Sequence, residues 1–195
     1  MKKMRLLIFV IFLGWDAAPA APLKVNLSTG WGLFPLPPPD TSGFYPGSFH
    51  LVGGPLGHLG ATLFFGEHKV RAGLGLEAGC ESWLYYKALS SEQSEWLYPI
   101  QALFQLETGV VSFQIGMGPG IYQRRVLTSE KVLLQETQVV PSTAFSILFD
   151  LRLGKNILLP VGLRVAGMIA PGAGSTYSPM LRLLLTPTIG IAFRF

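Results

Sequence analysis

The last fifteen residues, LRLLLTPTIGIAFRF, limit what this chain can fold into more than any other stretch. Phe195, Phe193, Ile191, Ile189, Pro187, Leu185, Leu183 and Leu181 occupy every second position. Arg194, Ala192, Gly190, Thr188, Thr186, Leu184 and Arg182 lie between them. A period of two places the sets on opposite faces of a β-strand. This strand is longer than the five or six residues of an ordinary globular sheet. It reaches the roughly nine to eleven residues that cross a bilayer at a tilt. A lone strand cannot cross, because its backbone N–H and C=O groups find no partners in hydrocarbon. The ending therefore requires a closed barrel whose other strands lie upstream.

Seven further segments carry the same period. They begin at KVNLSTGWGL, GHLGATLFF, VRAGLGLEAGCE, WLYPIQALFQLE and VSFQIGMGPGIY, and continue at about 141–153 and 157–169. In the second, the parity runs back to Phe49. Short links GEHK (66–69), ETG (107–109) and GKN (154–156) alternate with longer ones: PLPPPDTSGFYPG, SWLYYKALSSEQSE, QRRVLTSEKVLLQETQ and PGAGSTYSP. Short turns at one rim and long loops at the other are the outer-membrane pattern, turns periplasmic and loops outside. The reading is an all-β fold, an eight-stranded antiparallel transmembrane barrel.

Which face looks inward decides between a membrane barrel and a soluble one. Every charge inside a strand lies opposite the apolar set: Arg71, Glu77, Glu81, Glu107, Asp150, Arg152, Arg164, Arg182 and Arg194. On the lipid side such charges are costly near the midplane. Charged residues make up only 13% of the chain, against about 25% in soluble domains. Trp31, Trp83, Trp96, Tyr98, Tyr122, Phe193 and Phe195 fall near strand ends, where aromatic girdles are expected.

The N-terminus reads as a cleaved signal peptide over residues 1–20. Lys2, Lys3 and Arg5 precede an apolar run at 6–15, and Ala18-Pro19-Ala20 supplies a small-residue cleavage site. Residues 21–195 then form a single barrel domain. Without the leader, 12 basic and 10 acidic residues remain. That near-neutral balance, with no basic cluster, gives no footprint for nucleic acid. Cys80 is the single cysteine, so no disulfide framework exists.

With its final Phe195 and with Phe193 and Ile191 at alternate positions, the ending resembles the C-terminal insertion signal of bacterial outer-membrane barrels. The resemblance implies recognition by the barrel-assembly machinery and closure of the last strand on the first. Residues 23–195 as a whole resemble the small eight-stranded group that includes the OmpA membrane domain, OmpX and OmpW. This resemblance is one of architecture, and it implies residence in the bacterial outer membrane among its lipids.

An enzyme of this architecture needs a nucleophile, a base and an orienting acid. The histidines are His50, His58 and His68, and none stands in a His-x-Ser arrangement. Asp40, Ser48 and His50 lie around the first outer loop at unspecific spacing. The chain is therefore read as no enzyme, with no cofactor and no metal site. An eight-stranded barrel is about wide enough for side chains to fill, which argues against an open porin. The expected role is a narrow small-solute or ion pathway with a polar, side-chain-filled lumen. The alternative is a non-conducting surface or adhesin-type barrel whose loops meet an extracellular ligand. A lipid-modifying enzyme stands outside both.

Register yields a specific lumen cluster: Glu77, Arg164, His58, Gln101 and Gln114. If GEHK is a four-residue turn, Phe65 pairs with Val70 and His58 stands opposite Glu77. The third and seventh strands face each other across the lumen, so Glu77 and Arg164 are expected to pair near the axis as a polar plug. A buried carboxylate or guanidinium left alone is costly to desolvate.

Overall fold

A computed structural model describes residues 22–33, 35–36, 49–52, 54–66, 70–87, 91–128, 132–170 and 180–195. The signal-peptide segment, Asp40, Ser48 and His68 lie outside these residues.

The strands are β1 (Leu23–Trp31), β2 (Pro35–Leu36), β3 (Phe49–Val52), β4 (Pro55–Phe65), β5 (Val70–Lys87), β6 (Ser91–Thr108), β7 (Val111–Thr128), β8 (Val132–Arg152), β9 (Ile157–Ala170) and β10 (Met180–Arg194). Eight form the wall in the order β1-β4-β5-β6-β7-β8-β9-β10, each antiparallel to its neighbours. The wall closes where β10 pairs with β1: Phe193 faces Val25 and Ile191 faces Leu27. The two short strands extend it, β2 along β10 and β3 along β5. Closure removes both sheet edges, so the wall meets the backbone demand that hydrocarbon imposes.

Side-chain burial settles which face is which. The exposed outer set is apolar: Leu76 is 66% exposed and Met117 64%, with Leu27, Leu59, Leu74, Ile100, Phe104, Ile115, Phe145, Leu163 and Ile189 beside them. The enclosed set is largely polar: Glu81 is 1% exposed and Gln101 2%, with Lys24, Asn26, Thr62, Gln105, Ser146 and Thr186 also buried. A water-soluble barrel would have its apolar face inside. The inversion is the membrane arrangement.

The structure corrects four expectations. First, the strands are longer. The segments read as outer loops at 82–95 and 123–136 are mostly paired strand, because β5, β6 and β7 have 18 residues each and β8 has 21. Beyond the membrane a ribbon with polar residues on both faces is stable if its ladder bonds are made, so hydropathy alone does not mark its end. Second, Phe65 pairs with Ala72, which sets His58 opposite Gly79 and Gly60 opposite Glu77. The β4–β5 link is thus wider than a four-residue turn; Gly66 takes a positive φ of 101° as it leaves β4. Third, the other two short turns are Gly109–Val110 and residues 153–156, a shift of about a residue from ETG and GKN. Fourth, Trp83 and Tyr122 are not girdle residues. Both are buried inside the barrel with Leu97, Val140, Ala166, Met168 and Leu184. Tyr122 shares parity with Gly116 and Gly118, and Trp83 occupies a β-bulge between Ser82 and Leu84 that faces the lumen.

Candidate functional site

The lumen is a stack of side-chain layers. Near the middle, β5 sends in Glu77 and Glu81, β4 sends His58, β6 Gln101, β8 Ser142 and β9 Arg164. Arg164 Nη1 lies 2.7 Å from Glu77 Oε1. The oxygen has no hydrogen bond of good geometry, so the contact is an ion pair rather than a directed bond. Arg164 Nη2 lies 3.5 Å from Glu81 Oε1 and donates to Gln101 Oε1 at 3.3 Å. His58 Nε2 is 3.0 Å from the same Glu81 oxygen, and the indole N–H of Trp83 donates to Glu81 Oε2 at 3.1 Å. Gln101 Nε2 donates to Ser142 Oγ, which donates on to the backbone oxygen of Gly118. All four charged or imidazole groups are nine-tenths or more buried.

Glycines on the inner face admit these side chains. A β-carbon at Gly79 would collide with Cδ2 of His58, and one at Gly116 would lie 2.5 Å from Oε1 of Gln101. Both side chains cross space that any larger neighbour would fill.

Of the five residues expected to cluster, Glu77, Arg164, His58 and Gln101 come together: Arg164 contacts Glu77, Gln101 and Glu81, and Glu81 links His58 to it. His58 reaches Glu81 rather than Glu77, because of the two-residue shift in the β4–β5 register. Gln114 is buried on the inner face and pairs in register with Gln105 and Ser146, nearer the turns. Glu81 and Ser142 are the cluster members that sequence reasoning left out. Their inner parity was visible, but which side chains meet across a lumen depends on shear.

Toward the turns lies a second polar layer. Lys24 Nζ contacts Glu107 Oε1 at 2.9 Å and Asp150 Oδ2 at 2.7 Å. Arg71 Nη2 and Arg194 Nη2 each donate to Glu107 Oε2 at 2.8 Å, and Ser112 Oγ donates to Asp150 Oδ2 at 2.5 Å. Lys24 was not singled out from sequence, although its parity with Asn26 places it inside.

Above the middle cluster the lumen turns apolar. Trp83, Leu97, Tyr122, Val140, Ala166, Met168 and Leu184 pack together. The expectation of a polar filling holds for the turn half and the middle, and fails here. Toward the loop end Arg182 donates to Glu95, and Arg124 Nε stands 3.7 Å from the same carboxylate. Among the described residues no group of three His, Cys, Asp or Glu side chains converges as a metal site.

No protein-family model matches the sequence, and comparison with curated proteins finds no match. Among solved structures the chain is similar to Ail, the attachment invasion locus protein of Yersinia pestis. The TM-score is 0.56 at 9% identity, over 91% of this chain and 100% of that one. Ail in complex with the heparin analogue sucrose octasulfate aligns with a TM-score of 0.53 at 11% identity, over 91% and 100%. A major outer membrane protein from Thermus thermophilus aligns with a TM-score of 0.54 at 13% identity, over 89% and 99%. At these identities the likeness is one of fold: a closed eight-stranded antiparallel barrel of the outer-membrane type.

Proposed function

We propose that this chain is an outer-membrane surface barrel whose lumen is closed at rest and whose projecting strands do the binding. The observation that carries this reading is the filling of the lumen. An ion-paired layer around Arg164 and an apolar layer around Trp83 lie in series, so a hydrated solute would have to break charge contacts and then enter a dry layer. The strand lengths support the surface role. β1, β4, β9 and β10 have 9, 11, 14 and 15 residues, whereas β5 to β8 have 18 to 21. Since roughly eleven residues suffice to cross, β5 to β8 carry about seven to ten residues each beyond the membrane, as one continuous sheet. Glu92, Gln93, Ser94, Gln123, Arg125, Gln135 and Thr137 give it polar residues on both faces.

The refolded protein in a planar bilayer tests the closed lumen: no steady conductance is expected. Cells displaying the protein, compared with cells whose β5–β6 and β7–β8 arms are shortened, test the surface role. Equal adhesion to immobilised glycans and matrix proteins by both would count against it.

A narrow ion pathway is the second reading. It is favoured by the charge contacts of the middle layer, since side-chain ion pairs can exchange partners without unfolding the wall. Steady conductance that changes in Arg164→Gln would place it first.

A further inference from the structure

The turn-end layer has a feature that a closed plug does not require. Three cationic side chains, Lys24, Arg71 and Arg194, converge there on two carboxylates, Glu107 and Asp150. Lys24 engages both acids. The two arginines therefore share what is left, and they share a single atom: each Nη2 lies 2.8 Å from Glu107 Oε2. Their terminal nitrogens are no more than twice that distance apart. Like charges so close are held by the one oxygen between them.

Neither guanidinium is spent by that contact. An arginine offers five N–H donors in a planar fork, and among the described residues no second carboxylate reaches either one. Arg194 Nε is buried with no hydrogen-bond partner. The Arg71 and Arg194 side chains are 20% and 22% exposed, while Glu107 beneath them is 4% exposed. The fork thus opens toward the turn end. The backbone N–H of Arg194 donates to the oxygen of Asn156, which brings the turn carrying exposed Lys155 alongside.

We infer that Arg71 and Arg194 form a two-arginine clamp at the turn-end mouth that binds a phosphate-type oxyanion. Paired planar forks are the arrangement that recognises phosphate by parallel N–H···O bonds. A bound anion offsets the surplus positive charge and gives the free donors acceptors. The phosphate is either free or carried by a lipid headgroup of the adjoining leaflet. The clamp goes beyond the surface role and does not depend on it: a conducting barrel would overturn the closed lumen and leave the clamp standing.

Calorimetric titration of the refolded protein with inorganic phosphate tests the inference, with Arg71→Gln/Arg194→Gln as the variant and Arg125→Gln, at the far end, as the control. Phosphate binding that weakens at least tenfold in the double variant and is unchanged in the control supports a free anion. If phosphate does not bind, nanodiscs supply the second arm. Selective retention of phosphatidylglycerol over phosphatidylcholine, lost in the double variant, supports the lipid headgroup. Should the glutamine pair fail to refold, judged by heat-modifiable gel migration, Arg71→Lys/Arg194→Lys keeps the charge and removes the forks; its binding should also fall. Phosphate and lipid binding that are both absent, or both indifferent to these substitutions, would overturn the clamp.

Discussion

Arg164 is the residue on which the middle layer depends. It is the one guanidinium in contact with both Glu77 and Glu81 among the described residues. Replacing it with glutamine leaves two buried carboxylates facing one imidazole. Removing one partner of a buried ion pair costs about 3–5 kcal/mol, so Arg164→Gln should lower the urea midpoint of the refolded barrel well below that of the parent. Glu77→Gln/Arg164→Gln should recover part of the loss, with a coupling energy in the range of about 0.5–3 kcal/mol; independent effects would mean that the two groups do not work as a pair. Gly79 makes a different demand. A side chain there would strike the His58 ring, and overpacking of this kind costs about 1–3 kcal/mol. Gly79→Val should destabilise the barrel in that range, whereas Gly154→Val, whose β-carbon would meet nothing within 4 Å, should not.

Among the elements, β10 carries the clearest reading. Its alternation marks it as a strand, and its pairing with β1 makes it the closing seam. The N–H of Phe195 donates to the oxygen of Leu23 just past the last ladder pair, so the terminal aromatic is tied to the seam. Deleting Phe195 should reduce the fraction of protein assembled in the outer membrane of expressing cells, scored by heat-modifiable migration of membrane fractions; normal assembly would argue that the ending is no insertion signal. The connections give a topological test. Protease added to intact cells should cut within 88–90 or 129–131, the links from β5 to β6 and from β7 to β8, and should spare 66–69, 109–110 and 153–156. Cutting at the short turns from outside would reverse the orientation.

For the whole molecule the deciding quantity is whether the two lumen layers block passage together. Trp83 is fully buried and is the largest side chain of the apolar layer. Trp83→Ala removes the bulk of that layer while the Arg164 layer stays, and Arg164→Gln does the reverse. If the layers act in series, either single variant should remain near silent in a planar bilayer, and the double variant should conduct. A conducting parent would remove the premise.

Much of this was legible in one dimension. Period-two patterning assigned the inner and outer faces in all eight wall strands, because in a strand parity alone decides which side a residue takes. Arg164, Glu77, His58 and Gln101 could be placed inside for the same reason. What parity cannot carry is depth. The β4–β5 link moved His58 two residues from its expected partner, and the closed wall brought Glu81 in beside Glu77, between His58 and Arg164. Trp83 has the inner parity of Glu77 and Glu81, yet only the closed fold shows which side chains its indole packs against. The turn-end layer drew Lys24, Arg71, Glu107, Asp150 and Arg194 from five strands. Which face a side chain takes is a local property of its own strand. Which side chains meet across a barrel depends on register summed around the ring, and only the closed tertiary structure decides that.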